Sequence, residues 1–174
     1  MTLKNIVLTV AATTTGVNAG LFFAYQVSII PAFKTLSDRD YIAAMQAINA
    51  AIQNPVFLSN FLGTVFFLPA AAYLHRSKPA SLRSKLLLGA TLLYIVGTFG
   101  ITADANVPLN DMLAQFSLHS STPQQVAKVR AGFEGPWNTW HLMRTIASVG
   151  SLVLVIAACL SASTVSSRPS KRNN

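Results

Sequence analysis

The sequence predicts an all-α integral membrane protein: an antiparallel four-helix bundle with a short amphipathic helix between its first and second spans. Three observations carry that prediction. Only 10% of the 174 residues are charged while 52% are hydrophobic, against roughly 25% charged in an average soluble domain, so a water-soluble fold would lack the charge to cover its surface. The apolar residues fall in four blocks, 5–30, 55–74, 86–103 and 140–160, each near the ~20 residues that cross ~30 Å of hydrocarbon. The charges, finally, alternate between connections. Lys4, then Arg76, Lys78, Arg83 and Lys85, then Arg168, Lys171 and Arg172 precede span one, join spans two and three, and follow span four, with no acid among them. All five acids (Asp38, Asp40, Asp104, Asp111, Glu134) share the other two connections or their edges with five bases, Lys34, Arg39, Lys128, Arg130 and Arg144. This is the positive-inside pattern with both termini cytoplasmic, and the bacterial inner membrane is its default setting. The net charge of +8 is then a matter of topology and of attraction to anionic lipid, not of nucleic-acid binding. Residues 1–162 form one membrane domain, and 163–174 a disordered basic cytoplasmic tail.

The first span begins like a secretory signal, with Lys4, an apolar core and Val17-Asn18-Ala19 in the place of a cleavage site. Apolar residues resume at once with Leu21-Phe22-Phe23, so cleavage would leave a segment too short to cross. The intact span is polar for its class, carrying Thr9, Thr13, Thr14, Thr15, Asn18, Tyr25 and Gln26, which must bond to neighbouring helices or backbone. Gly16-x-x-x-Gly20 offers a close helix crossing or a face toward a larger complex, and Pro31 ends the span. Ser37 then caps a helix with Asp38 and Asp40 in its first turn. Tyr41, Met45, Ile48 and Ile52 recur on it at helical spacing, beside a carboxamide stripe of Gln46, Asn49 and Gln53. Asn54-Pro55 opens span two, which is rich in phenylalanine and contains Pro69. Span three carries Gly89, Gly97 and Gly100 for packing and finishes in a polar stretch around Pro108. Thr122, with Pro123 at the first position, caps a helix over 124–133 that ends near Gly135-Pro136. No internal repeat is present, which speaks against an inverted-repeat transporter. The single cysteine, Cys159, excludes an internal disulfide and a cysteine metal site.

Polar residues converge on the outer end of the chain from three segments: Gln46 and Asn49, Asn106 and Asn110, and the run Trp137–Arg144 at the head of span four. On one helix Trp137, His141, Arg144 and Ser148 fall at i, i+4, i+7 and i+11, a single face. Ionisable groups at such a depth are costly and usually functional. For His141 three readings stand: a hydrogen-bonded packing imidazole, a proton-transfer group, or a metal ligand. The last needs His119 with Asp104, Asp111 or Glu134, whose spacing is not diagnostic. Haem between two membrane histidines lacks its second histidine. Arg144 is either an interfacial anchor paired with Asp104 or Glu134, or a donor to an oxyanion. The chain has no phosphate-binding loop, dinucleotide fingerprint or nucleophile elbow.

Gln46-x-x-Asn49, Asn106-x-Pro108-Leu109-Asn110 and Trp137-x-x-x-His141-x-x-Arg144-Thr145, set in four spans, resemble the anthrone oxygenase-like family of small membrane proteins over about residues 5–160. The resemblance implies oxidation of a lipophilic anthrone-type aromatic with O2, without an organic cofactor, and we expect no metal centre. His141 would remove a proton. Arg144, Asn106 and Asn110 would hold the resulting oxyanion, and Gln46, Asn49 and Trp137 would orient the ring. A protein of another class, which binds a lipid, quinone or other hydrophobic small molecule without turnover, fits the same residues. Membrane lipids and a lipophilic small molecule are thus the expected partners, with self-association left open.

Overall fold

A computed structural model describes residues 1–161, in which every regular element is a helix. The tail expected to be disordered, 163–174, lies outside the described residues. In chain order the helices are α1 (Leu3–Phe33), α2 (Asp38–Ile52), α3 (Pro55–Leu74), α4 (Leu82–Ala114) and α5 (Pro123–Leu160). All but α2 are long and apolar enough to cross a membrane, with mean hydropathies between 1.6 and 2.0. Their outward faces expose large apolar side chains such as Phe23, Phe66, Val96 and Ile146. This is the make-up of an integral membrane protein.

The predicted caps form where the residues place them. Ser37 Oγ accepts from the Asp40 backbone N–H at 3.2 Å, and Asn54 Oδ1 accepts from that of Phe57 at 3.0 Å. Thr122 and Gln125 satisfy each other's backbone donors in a capping box. The helix ends, however, differ from expectation. The helix expected over 124–133 and the span 140–160 are one element of 38 residues that runs through Gly135 and Pro136. Likewise α1 passes Pro31, and α4 passes Pro108 to end at Ala114. Proline removes a donor and crowds the carbonyl four residues back. At both sites the preceding turn is wound wider, over Tyr25–Ile29 and Thr102–Asn106, so that the Ile30 N–H reaches Tyr25 O and the Val107 N–H reaches Thr102 O. The π-type turn relieves the crowding and lets the helix continue.

Two apolar clusters hold the helices together. One joins Phe22, Phe61, Leu68, Leu87, Tyr94 and Val155 of the four long helices. Within it, Asn18 Nδ2 donates to Thr64 Oγ1 at 3.0 Å and to Tyr94 Oη at 2.9 Å, which ties α1 to α3 and α4. The other seats Tyr41, Ile42 and Met45 of α2 against Ile30, Leu113, Val126 and Phe133. Arg130 fastens this end: it donates to Leu36 O at 2.8 Å and bridges Asp38 at 3.1 Å and Glu134 at 2.8 Å.

The tightest backbone approach is at Gly97, where a Cβ would stand 2.5 Å from Ala147 Cβ. Among the described residues the close crossing expected at Gly16 and Gly20 does not form: a Cβ on Gly16 would meet Leu152 Cδ1 only at 3.7 Å, and none of them lies within 4 Å of one on Gly20. A spacing of small residues permits a close crossing without naming a partner. Gly97→Val is therefore expected to lower stability by about 1–3 kcal/mol through overpacking, while Gly20→Ala stays within about 0.5 kcal/mol of the parent. Thermal unfolding in one detergent checks this, and equal melting temperatures for both variants would contradict the packing.

Candidate functional site

The face read from the sequence is a buried one: Trp137, His141, Arg144 and Ser148 all point inward from α5. Phe133, Trp137 and His141 form a column of rings one turn apart. Trp137 stacks on His141 with centroids 5.0 Å apart and planes 7° from parallel, and Phe133 stacks on Trp137 at 6.2 Å. Tyr25, carried on the widened turn of α1, leans on both, with centroids 5.0 Å from His141 and 5.4 Å from Trp137. Phe22 meets His141 edge-on at 5.9 Å.

Arg144 lies inside this aromatic cage. Its guanidinium carbon sits 4.6 Å above the Phe22 ring and 5.4 Å from that of Trp137, at cation–π range. Nε and Nη2 approach His141 Nδ1 at 3.1 and 2.9 Å, and Nη1 donates to Thr102 Oγ1 at 3.2 Å. A guanidinium can only donate, so Nδ1 is the acceptor and the imidazole proton belongs on Nε2, which lies 3.2 Å from Phe22 O. The imidazole is thus held at both nitrogens. The anchor pairing considered for Arg144 is absent. Glu134 pairs with Arg130, and among the described residues no carboxylate lies within 4.0 Å of Arg144. Only 8% of Arg144 is exposed, so a buried cation has rings and neutral acceptors around it but no counter-charge.

Beside this cation is a cavity of about 330 Å³, bounded by residues of all five helices. Of the residues singled out in the sequence, Asn49, Gln53, Asn110, Asp111, Trp137, His141 and Arg144 line it together, and the Asp111 carboxylate forms no ion pair with Arg144. Asn110 Oδ1 accepts from Trp137 Nε1 at 2.7 Å and so fixes the indole. Asn49 is buried and its Nδ2 has no partner, a free donor in the wall. Gln46 and Asn106 are not part of the lining. Gln46 Nε2 donates to Leu113 O in the last turn of α4 and to Phe116 O just beyond it, both at 2.8 Å. Asn106 is fully buried, and its Nδ2 donates to the Trp137 backbone O at 3.3 Å.

Several contributors were not marked as site residues in the sequence. Phe57, Phe61 and Phe99 supply an apolar wall, while Tyr25 and Thr102 hold the His141–Arg144 pair. Tyr25 could have been found as a hydroxylated ring inside a span, one turn from Phe22. Thr102 gives no such signal, because threonine inside a span commonly bonds its own backbone, and this one does so as well, to Thr98 O at 2.7 Å. The two-histidine, one-carboxylate arrangement does not assemble: among the described residues no three His, Cys, Asp or Glu side chains stand together.

Against known families, the model for anthrone oxygenase matches residues 56–154, more than half of the chain. That stretch contains α3, α4 and the part of α5 that carries Trp137, His141 and Arg144. No curated protein and no solved structure matches the chain.

The burial of Arg144 without an anion makes a stability prediction. An uncompensated buried charge costs several kcal/mol, whereas orphaning Nδ1 and Thr102 costs about 1–3 kcal/mol each at most. Arg144→Met, which keeps the length and apolar stem, is expected to melt at or above the parent temperature. A loss of about 3 kcal/mol or more in thermal or denaturant unfolding would make Arg144 a structural residue instead.

Proposed function

The chain belongs to the anthrone oxygenase family, and we propose that it is a membrane enzyme that oxidises a lipophilic, enolisable aromatic of the anthrone type with O2 in the cavity beside His141 and Arg144. The observation that carries this reading is the buried guanidinium with no carboxylate partner, set in a largely apolar cavity beside an imidazole. An anthrone is neutral and apolar until it loses the proton on its central carbon. The electron pair then spreads onto the ring oxygen. A fixed cation in a water-poor site stabilises that enolate much more than the neutral ketone, as differential binding of the transition state requires.

The proposed sequence uses this chain's own groups. The substrate enters with its carbonyl oxygen toward Arg144 and the unpartnered Asn49 Nδ2, and its rings against Trp137 and the phenylalanine wall. As negative charge develops on the oxygen, the guanidinium transfers its N–H donors from His141 Nδ1 to that oxygen, and the freed Nδ1 takes the proton. The enolate gives one electron to O2, and the resulting radical and superoxide join at the ring carbon. A proton completes the hydroperoxide. Loss of the remaining hydrogen on that carbon, with cleavage of the O–O bond, yields the quinone and one water. The balance is anthrone plus O2 to anthraquinone plus H2O. Asn110 acts through the indole it fixes, Asn106 through its bond to the Trp137 backbone carbonyl, and Gln46 through the hold of α2 on α4.

The setting proposed for the site is an antiparallel bundle of residues 1–162 in a membrane, the bacterial inner one by default, with both termini cytoplasmic and the cavity at the outer end. Support for the antiparallel order lies along α4 and α5: Arg83 bonds Ala158 O, Gly97 meets Ala147, and Thr102 meets Arg144. A phosphatase inserted after Ser120 should be active and one after Lys78 inactive; the reverse pattern would invert the topology.

A second reading is favoured by one fact: both nitrogens of His141 are engaged. On that reading the cavity holds a quinone or similar lipophile without turnover. Purified protein in nanodiscs supplied with 1,8-dihydroxyanthrone separates the two. We expect quinone formation and O2 uptake in a one-to-one ratio, with His141→Ala slower by about 10²–10⁴-fold. Parent protein no faster than empty nanodiscs, yet binding the anthrone, would establish the second reading.

A further inference from the structure

Some residues of the cavity wall also face outward, and these mark where it opens. Leu58 and Leu62 stand one turn apart on α3, are 40% and 43% exposed, and line the cavity. Ala103, Val107 and Asp111 recur at every fourth position of α4, are all exposed, and also line it. A side chain that touches both the interior and the surroundings must stand at a mouth. With Leu21 of α1, 39% exposed and also in the lining, the two stripes border an opening flanked by α3 and the second half of α4. Above it lies the end of α2, whose exposed Gln53 lines the cavity next to the buried Asn49. The rim changes character along its height: leucine, alanine and valine below, Gln53 and Asp111 above. Where α3 and α4 cross a bilayer, the lower part faces hydrocarbon and the upper part the headgroup level.

We propose that this slot is a lateral portal through which an amphipathic ligand dissolved in the bilayer enters edge-on, its oxygen-bearing edge level with Gln53 and Asp111 and its hydrocarbon among Leu58, Leu62 and Val107. The ligand is thus a membrane-partitioned ring system with oxygens at one edge, delivered by lipid and not by water. This rests on the cavity being the ligand site, as proposed above. It adds the route, which the catalytic reading leaves unspecified. Such a route has a physical advantage: an apolar ring never has to leave hydrocarbon, and the cavity need not be flooded to admit it, which keeps the field of Arg144 unscreened.

Two measurements on the full chain in phosphatidylcholine liposomes test it. In a Cys159→Ser background, single spin labels at Leu62→Cys, Ala103→Cys and Asp111→Cys are exposed to O2 or to a water-soluble nickel chelate. We expect positions 62 and 103 to be broadened by O2 and not by nickel, with position 111 the more accessible to nickel of the three. Nickel access at 62 and 103 equal to that at 111 would show a mouth open to water and overturn the portal. This arm needs no turnover, so it stands or falls apart from the enzymatic reading. The second arm narrows the mouth with Leu62→Trp or Ala103→Trp in the same Cys159→Ser background, which leaves Trp137 in place. Vesicle-borne 1,8-dihydroxyanthrone should fill the cavity at least tenfold more slowly in these variants than in the unlabelled Leu62→Cys and Ala103→Cys variants, followed throughout by the absorbance change of the ligand on binding. Equal filling rates, with melting temperatures unchanged, would place the entrance elsewhere.

Discussion

A guanidinium buried without a carboxylate is the constraint around which this protein is built. Arg144 cannot lose its charge, and a charge at this depth is tolerated only if its surroundings are made for it. They are: the imidazole of His141, the hydroxyl of Thr102, and the faces of Phe22 and Trp137 receive it. Each of those groups is in turn fixed by something remote. His141 is held by a backbone carbonyl of α1, Trp137 by Asn110 of α4, and Thr102 by a widened turn of α4. What the cage omits is an anion. The guanidinium borders the cavity, and on the proposed reading this is how the site favours a charge that develops during a reaction.

The widened turns belong to the same design. Both lie where proline follows, and they carry Tyr25 on α1 and Thr102 and Asn106 on α4. Rewinding a helix by one extra residue per turn changes which side chains face inward. Here it brings a tyrosine against the Trp137–His141 stack and lets a threonine meet the arginine, while the helix ends remain available for Gln46 to cap. Pro31 and Pro108 are better understood as the setting of these turns than as stops, while α5 passes Pro136 without one.

Much of the fold was legible because hydropathy and capping act locally. Ser37, Asn54 and Thr122 announce the helix starts by themselves, and the inward face of α5 follows from spacing alone. The extensions of α1, α4 and α5 were not legible, since hydropathy fades at Pro31, Pro108 and Pro136 although the backbone stays helical. Site residues divide in the same way. Trp137, His141 and Arg144 share one helix, so periodicity groups them. Asn49 and Asn110 gather at the cavity beside them, whereas Gln46 and Asn106 face carbonyls instead, a distinction of a few ångströms that no spacing encodes. Thr102 as a partner of Arg144 was also out of reach: Glu134 lies nearer in sequence than Thr102, but its geometry favours Arg130, four residues before it on the same helix.

On the proposed reading the cavity favours a negatively charged oxygen, and Arg144 is the reason. This claim is tested most directly by comparing ligands that differ only in charge. Emission from Trp137, in a Trp140→Phe background, reports titration with an acidic hydroxyanthraquinone in its anionic form and with its neutral methyl ether. The account predicts that the anion binds at least about tenfold more tightly, or ~1.4 kcal/mol, and that Arg144→Met abolishes the preference while leaving affinity for the ether unchanged. Equal affinities in the parent, or a preference that survives in Arg144→Met, would contradict it.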